Sequence, residues 1–201
     1  MKRSLFIRSA AVILILCFAG SYALLFEADA LSDKLIRLHV IANSDEQYDQ
    51  ELKLRVRDSV LDCLSDALDG ASDREEARVI IEERLPEIRA AAEKAISAAG
   101  YDYPVYADIG FEDYPTREYE NLSLPAGRYL SLRVTVGSGE GKNWWCVVFP
   151  PVCTAAAASE DLAVMDFTSS EIALMTGKDR GYVIKFRLIE FLEELRRRIE
   201  A

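Results

Sequence analysis

One histidine, His39, and two tryptophans stand in a chain of 201 residues. With a single imidazole, no H-E-x-x-H and no C-x-x-C pair, the usual zinc spacings are absent. No metal and no cofactor is expected. Positive charge is also scarce: Lys+Arg is 24 against 34 Asp+Glu, a net charge of -10. That excludes the clustered basic surface of a sequence-independent nucleic-acid binder. It also disfavours charge-driven docking on an anionic bilayer. The glycine-rich run GSGEGK (137–142) lacks two P-loop features. Val136 stands where the first glycine belongs, and Asn143 replaces the magnesium-binding Ser/Thr. Asp45 and Asp49 lack the glycine and spacing of a calcium loop. No G-x-S-x-G elbow surrounds Ser44.

What the chain has is, first, an export segment. Lys2, Arg3 and Arg8 precede an uncharged run, SAAVILILCFAGSYALLF, from Ser9 to Phe26. Residues 1–30 read as a signal peptide, with Ala28-Asp29-Ala30 as the small-x-small cleavage pattern, or as a retained membrane anchor. The basic flank puts the remainder outside the cytoplasm, secreted or membrane-anchored. Membrane contact is then expected only through residues 5–26, if they are uncleaved. Residues 31–201 suit a single extracytoplasmic domain. An oxidising compartment permits a disulfide between Cys146 and Cys153, with Phe149-Pro150-Pro151 between them to turn the chain. Connectivity is not fixed by sequence. Cys63 falls on the apolar face of a helix and reads as a buried free thiol.

Leu35–Ala42 alternates apolar residues with Arg37 and His39, the period of a half-buried strand. Asn43, Ser44 and Asp45 are helix-capping types, and helical spacing then runs to Leu68, with Gly70 as the stop. Ser72-x-x-Glu75 matches a capping box for a second helix to Ala99, which Pro86 should kink or split. Strands follow at 103–111, 128–136 and 144–149, with 137–142 as a hairpin tip. A short helical turn is expected within 169–180, and a strong helix over 182–199. Its stripe of Ile184, Leu188, Phe191, Leu192, Leu195 and Ile199 is expected to face the core. The fold class is α+β: an antiparallel-rich sheet of about four strands, arranged as a meander, with three main helices mainly on one face.

The polar stretch 35–58 is the first candidate site. A hydrolase would need His39 as base, Ser44 or Cys63 as nucleophile and Asp45 as orienter. The plainer reading makes His39 a polar strand residue bonded to a neighbouring carboxylate or carbonyl. Asn43, Ser44 and Asp45 cap the helix, with or without binding an anion or a partner's carboxylate there. Asp49, Lys53 and Arg57 follow at i, i+4, as surface pairs or as a charged recognition face. Trp144 and Trp145 must point to opposite faces of their strand, and an outward tryptophan suits an interface or a cell-wall sugar.

LIRLHVIANSDEQYDQELKLRVRDSVLDCL resembles the opening block of the stage II sporulation protein R family. NWWCVVFPPVC resembles its second block, and VIKFRLIEFLEEL its third. The three stand in the family's order and cover most of residues 35–195. The resemblance implies an exported sporulation signal. Members are made in the forespore, cross its membrane into the space facing the mother cell, and activate a membrane-embedded aspartic-type protease. That protease then processes the precursor of sigma factor E. On this reading the chain is a ligand and not an enzyme, with the protease as receptor. His39, Asn43, Ser44, Asp45, Asp49, Lys53, Arg57 and Asp58 match the first block and are candidates for receptor binding or for holding the fold.

Overall fold

The structure is a computed structural model that describes residues 12, 15, 20, 25–119, 122–150, 167–176 and 182–200. The fold is α+β. Residues 25–32 are helical (α1). Then come β1 (Ile36–Ile41), α2 (Gln47–Leu68), α3 (Arg74–Ala98), β2 (Val105–Tyr114), the short β3 (Arg117–Glu118) and β4 (Ser123–Leu124), β5 (Gly127–Val136) and β6 (Asn143–Phe149). Helices α4 (Ser169–Thr176) and α5 (Tyr182–Glu200) complete the order. Contacts divide the chain into two compact units. One comprises residues 32–112 and 129–158, the other 1–31, 113–128 and 159–201. Among the described residues no helix is long and apolar enough to cross a membrane. Most of the export segment, and Cys153, lie outside the described residues.

The four-stranded sheet has the order β2-β5-β1-β6 and is mixed, not a meander. β1 is parallel to β5 and antiparallel to β6. The expected hairpin between β5 and β6 therefore does not exist, because β1 lies between them. Residues 137–142 form an arch that spans two inter-strand spacings, about 10 Å. The physical reason is hydrogen bonding: a central β1 satisfies the backbone groups of both its edges, which a meander would leave to one neighbour.

Ile36, Leu38 and Val40 point to the core face, where they meet Leu52, Val56 and Val60 of α2 and Ile81, Ile88 and Ala92 of α3. The helices of this unit thus cover one face of the sheet. Alternation turns Arg37 and His39 to the other face. Pro86 sits inside α3, and the helix runs through it unsplit. Asp73, not Ser72, caps α3: its side chain accepts from Glu76 N, while Glu76 returns to Ser72 N and Oγ at 2.8 and 2.7 Å. The capping box is thus shifted one residue along the chain. Gly100, at φ +85°, ends α3 with Gly100 N on Ser97 O and Tyr101 N on Ile96 O, a Schellman pairing that needs a left-handed residue. Gly70, which follows the α2 C-cap Asp69, does not play that part, since its φ is not positive.

In the second unit, Thr168 and Glu171 box the start of α4: Thr168 N donates to Glu171 at 2.6 Å and Glu171 N to Thr168 Oγ1 at 3.3 Å. Phe186, Ile189 and Glu193 are the buried side of α5. The stripe expected to face the core is instead exposed at Phe191, Leu195 and Ile199 and half-buried at Leu188 and Leu192, while the Ile184 side chain lies outside the described residues. Ala28 and Leu31 of α1 are buried, and Asp29 pairs with Arg196 at 3.5 Å.

Candidate functional site

The polar triplet after β1 does not cap α2. The N-cap is Glu46, which makes no side-chain capping bond. The triplet instead plugs the arch. Asn43 Oδ1 accepts from Ser138 N at 2.9 Å, and Asn43 O accepts from Glu140 N at 3.2 Å and Ser138 Oγ at 2.8 Å. Gly141 N donates to Ala42 O at 2.9 Å and Lys142 N to Asp45 Oδ1 at 2.7 Å. The arch therefore directs four amides inward, as a phosphate-binding loop would, but the chain's own oxygens already occupy them. A Cβ on Gly141 would sit 2.2 Å from Ser44 O, so glycine is required by the closeness of two backbones.

Below the arch lies Asp49, a carboxylate only 1% exposed. Its Oδ2 accepts from Asn43 Nδ2 at 2.9 Å and Ser44 Oγ at 2.6 Å. Lys53, also buried, donates to Gln50 Oε1 at 2.7 Å and to Lys142 O at 2.9 Å. Burial lowers its pKa; nearby Asp45 opposes that and Lys142 reinforces it. Gln50 closes the ring on Ser44 O at 2.8 Å. Asn43, Ser44, Asp45, Asp49 and Lys53 are thus brought together as one clasp. The i, i+4 charge ladder gives way to it, because each member has a nearer partner.

The opposite face of the sheet carries a second constellation, in a row across all four strands. Trp145 of β6 lies 5.6 Å from the His39 ring. His39 Nδ1 lies 3.2 and 3.3 Å from the two Glu112 oxygens of β2. Arg133 of β5 reaches Glu112 at 3.4 Å and pairs with Asp108 at 3.0 and 3.1 Å. Burial raises the Glu112 pKa, but bonds from His39 and Ser131 and the charges of His39 and Arg133 outweigh it, so the carboxyl ends below its ordinary value. Next to this row, Arg37 is wholly buried, with Nε donating to Cys146 O at 3.2 Å and its guanidinium 5.0 Å from the Tyr129 ring centre.

Trp144 faces the helices, where the Arg57 guanidinium lies 4.5 Å from its ring centre. Arg57 also pairs with Asp58 at 2.6 Å. The two tryptophans therefore serve opposite faces, as strand alternation requires. Cys63 is free and half-buried; Cys146 is disulfide-bonded, and its expected partner Cys153 lies outside the described residues. Among the described residues no three His, Cys, Asp or Glu side chains converge as a metal site would require. Sequence reasoning missed Arg37, Asp108, Glu112 and Arg133. The alternation of Tyr106, Asp108 and Glu112 against Val105, Ala107 and Ile109 was a signal for two of them.

The family model for Stage II sporulation protein R matches residues 32–159. A curated relative, Stage II sporulation protein R of Bacillus subtilis (strain 168), is 40% identical over 123 residues, covering 61% of this chain and 55% of the relative. The chain thus spans about half the length of the curated relative it matches. No solved structure matches.

Proposed function

Since this chain belongs to the stage II sporulation protein R family, and so has a role in sporulation, we propose that it is an exported signalling protein. It activates a membrane-embedded aspartic-type protease, which then processes the sigma-E precursor. The observation that carries the reading is the family match across residues 32–159, which includes the clasp, the arch and the charged row. The geometry is consistent with a ligand. The Ser44 hydroxyl donates its hydrogen bond to Asp49 Oδ2 at 2.6 Å, and His39 turns to Glu112 on the other sheet face. A hydrolase would need His39 and Ser44 joined. Glycan binding would need an open aromatic face, whereas Trp145 packs at a tilt against His39 and the Arg57 guanidinium lies over the Trp144 ring.

The test is genetic. Deleting the gene should leave the sigma-E precursor synthesised but unprocessed, and a copy carrying His39→Gln should restore processing. Normal processing in the deletion strain overturns the signalling reading. Failure of a folded His39→Gln protein would return attention to chemistry at His39. A pulldown comparing the receptor's external domain with peptidoglycan separates receptor binding from wall binding.

A further inference from the structure

Helix α5 is apolar on two opposite sides. Phe186, Ile189 and Glu193 are its buried side. Phe191, Leu195 and Ile199, at i, i+4 and i+8, form a second row that is 64, 45 and 76% exposed. Leu188 and Leu192 flank that row, half-buried. Side chains four apart stack on one helical face, so the row is a continuous strip a little over two turns long. Charged residues along the flank are already satisfied within the helix: Glu194 pairs with Arg198 at 2.9 Å and with Arg197 at 3.0 Å, and Arg187 with Glu190 at 3.3 Å. A solvated helix face has no need of three large apolar side chains in a row.

The same compact unit contains further exposed apolar groups. Val12, Ile15 and Phe26 are each more than half exposed. They belong to the uncharged run 9–26, whose length is that of a bilayer-spanning helix. Three residues past Phe26, about 4.5 Å along a helix, Asp29 pairs with Arg196. Arg196 directly follows Leu195. The ion pair therefore fixes the end of α5 at the level where the apolar run ends.

We infer that the outward strip of α5 rests on the bilayer beside the N-terminal segment, with Phe191, Leu195 and Ile199 dipping into the acyl boundary. The inference rests only on the membrane-inserted form of the export segment in the function proposed above. It requires that segment to stay attached, as the burial of Ala28 and Leu31 and the pairing of Asp29 favour. With five basic and four acidic side chains, α5 is nearly neutral. Apolar contact, not headgroup charge, must hold it, so the contact is insensitive to salt.

The full chain, reconstituted into vesicles of phosphatidylethanolamine with a minority of phosphatidylglycerol, provides the test. A photoreactive benzoylphenylalanine replaces Leu195, Ile199 or, as the control on the exposed charged side away from the strip, Arg197. Vesicle flotation reports insertion of the N-terminal segment, and mass analysis after irradiation reports what each position touches. Lipid adducts at least about five-fold more abundant at 195 and 199 than at 197, unchanged by salt, are the expected result. Equal yields, adducts to a second copy of the chain, or failure to float would each overturn the inference. None of these readouts depends on sigma-E processing, so failure here and failure of the signalling reading are separately visible.

Discussion

Replacing Asn43 with Ala tests whether the clasp is architecture. Asn43 links three parts of the chain: its Nδ2 donates to the Asp49 carboxylate at 2.9 Å and its Oδ1 accepts from Ser138 N at 2.9 Å. A bond to a charged group contributes about 1.5–3 kcal/mol and a neutral one about 1 kcal/mol. The variant should therefore lose about 3 kcal/mol, a large part of the roughly 5–15 kcal/mol that holds an ordinary domain. For this chain length that corresponds to a fall in Tm of about 6–12 °C. Urea unfolding followed by the fluorescence of Trp144 and Trp145, which adjoin the arch, would measure it. Asn43→Asp keeps the acceptor for Ser138 but sets a second carboxylate against Asp49, so it should be at least as damaging as Ala. A cycle of Asn43→Ala with Asp49→Ala should return a coupling of about 0.5–3 kcal/mol. Were Asn43 a recognition residue only, Asn43→Ala would unfold within about 0.5 kcal/mol of wild type. That result would refute the reasoning.

Gly141→Ala should destabilise by about 1–3 kcal/mol, since the new Cβ meets backbone and the arch must shift. Gly70→Ala, with nothing within 4 Å of its Cβ, should be neutral or slightly stabilising in the same urea assay. Glu112 titrates below its ordinary value of 4.5, so it binds fewer protons folded than unfolded. Its contribution is present above that pH and drains away as pH falls through the lower folded value. The stability gap between wild type and Glu112→Gln, measured by urea unfolding, should accordingly narrow from pH 7 towards pH 3; a constant gap would refute the assignment.

Local patterns in the sequence were sound guides, and what they faced was not. The alternation of Ile36, Leu38 and Val40 located β1, and helical spacing located α2, α3 and α5. The mixed topology escaped because β5 and β6 are close in sequence and joined by a glycine-rich loop, which is also how a hairpin reads. Parallel pairing of β1 with β5 has no local signature. Asn43, Ser44 and Asp45 were legible as polar groups that organise backbone. Whether they serve the next helix or a loop almost a hundred residues away depends on topology. Arg37 was placed on the polar face correctly, yet it is buried, because alternation reports a face and not what covers it. The same limit explains α5: its apolar stripe exists, and it points outward.

Two stretches carry most of the family resemblance, 35–64 and 143–153, and the described part of the second, 143–150, meets the first. Leu38 registers with Cys146, His39 touches Trp145, Trp144 holds Arg57, and Asp45 and Lys53 bond the residue just before Asn143. Much of what looks like a signature is therefore explained by folding, since these groups spend their hydrogen bonds on one another. A receptor contact must come from groups with surface left over. Asn43, Ser44, Asp49 and Lys53 lie inside the joint, so substitutions there would impair signalling through instability and would mislead a search for the recognition face. Trp144, 36% exposed, and the Asp108–Arg133 pair keep exposed side-chain surface on opposite faces of the sheet, while Arg57 is largely covered. Substituting Trp144 and the Asp108–Arg133 pair in turn, with urea stability held as the control, distinguishes a face that binds from a face that only folds.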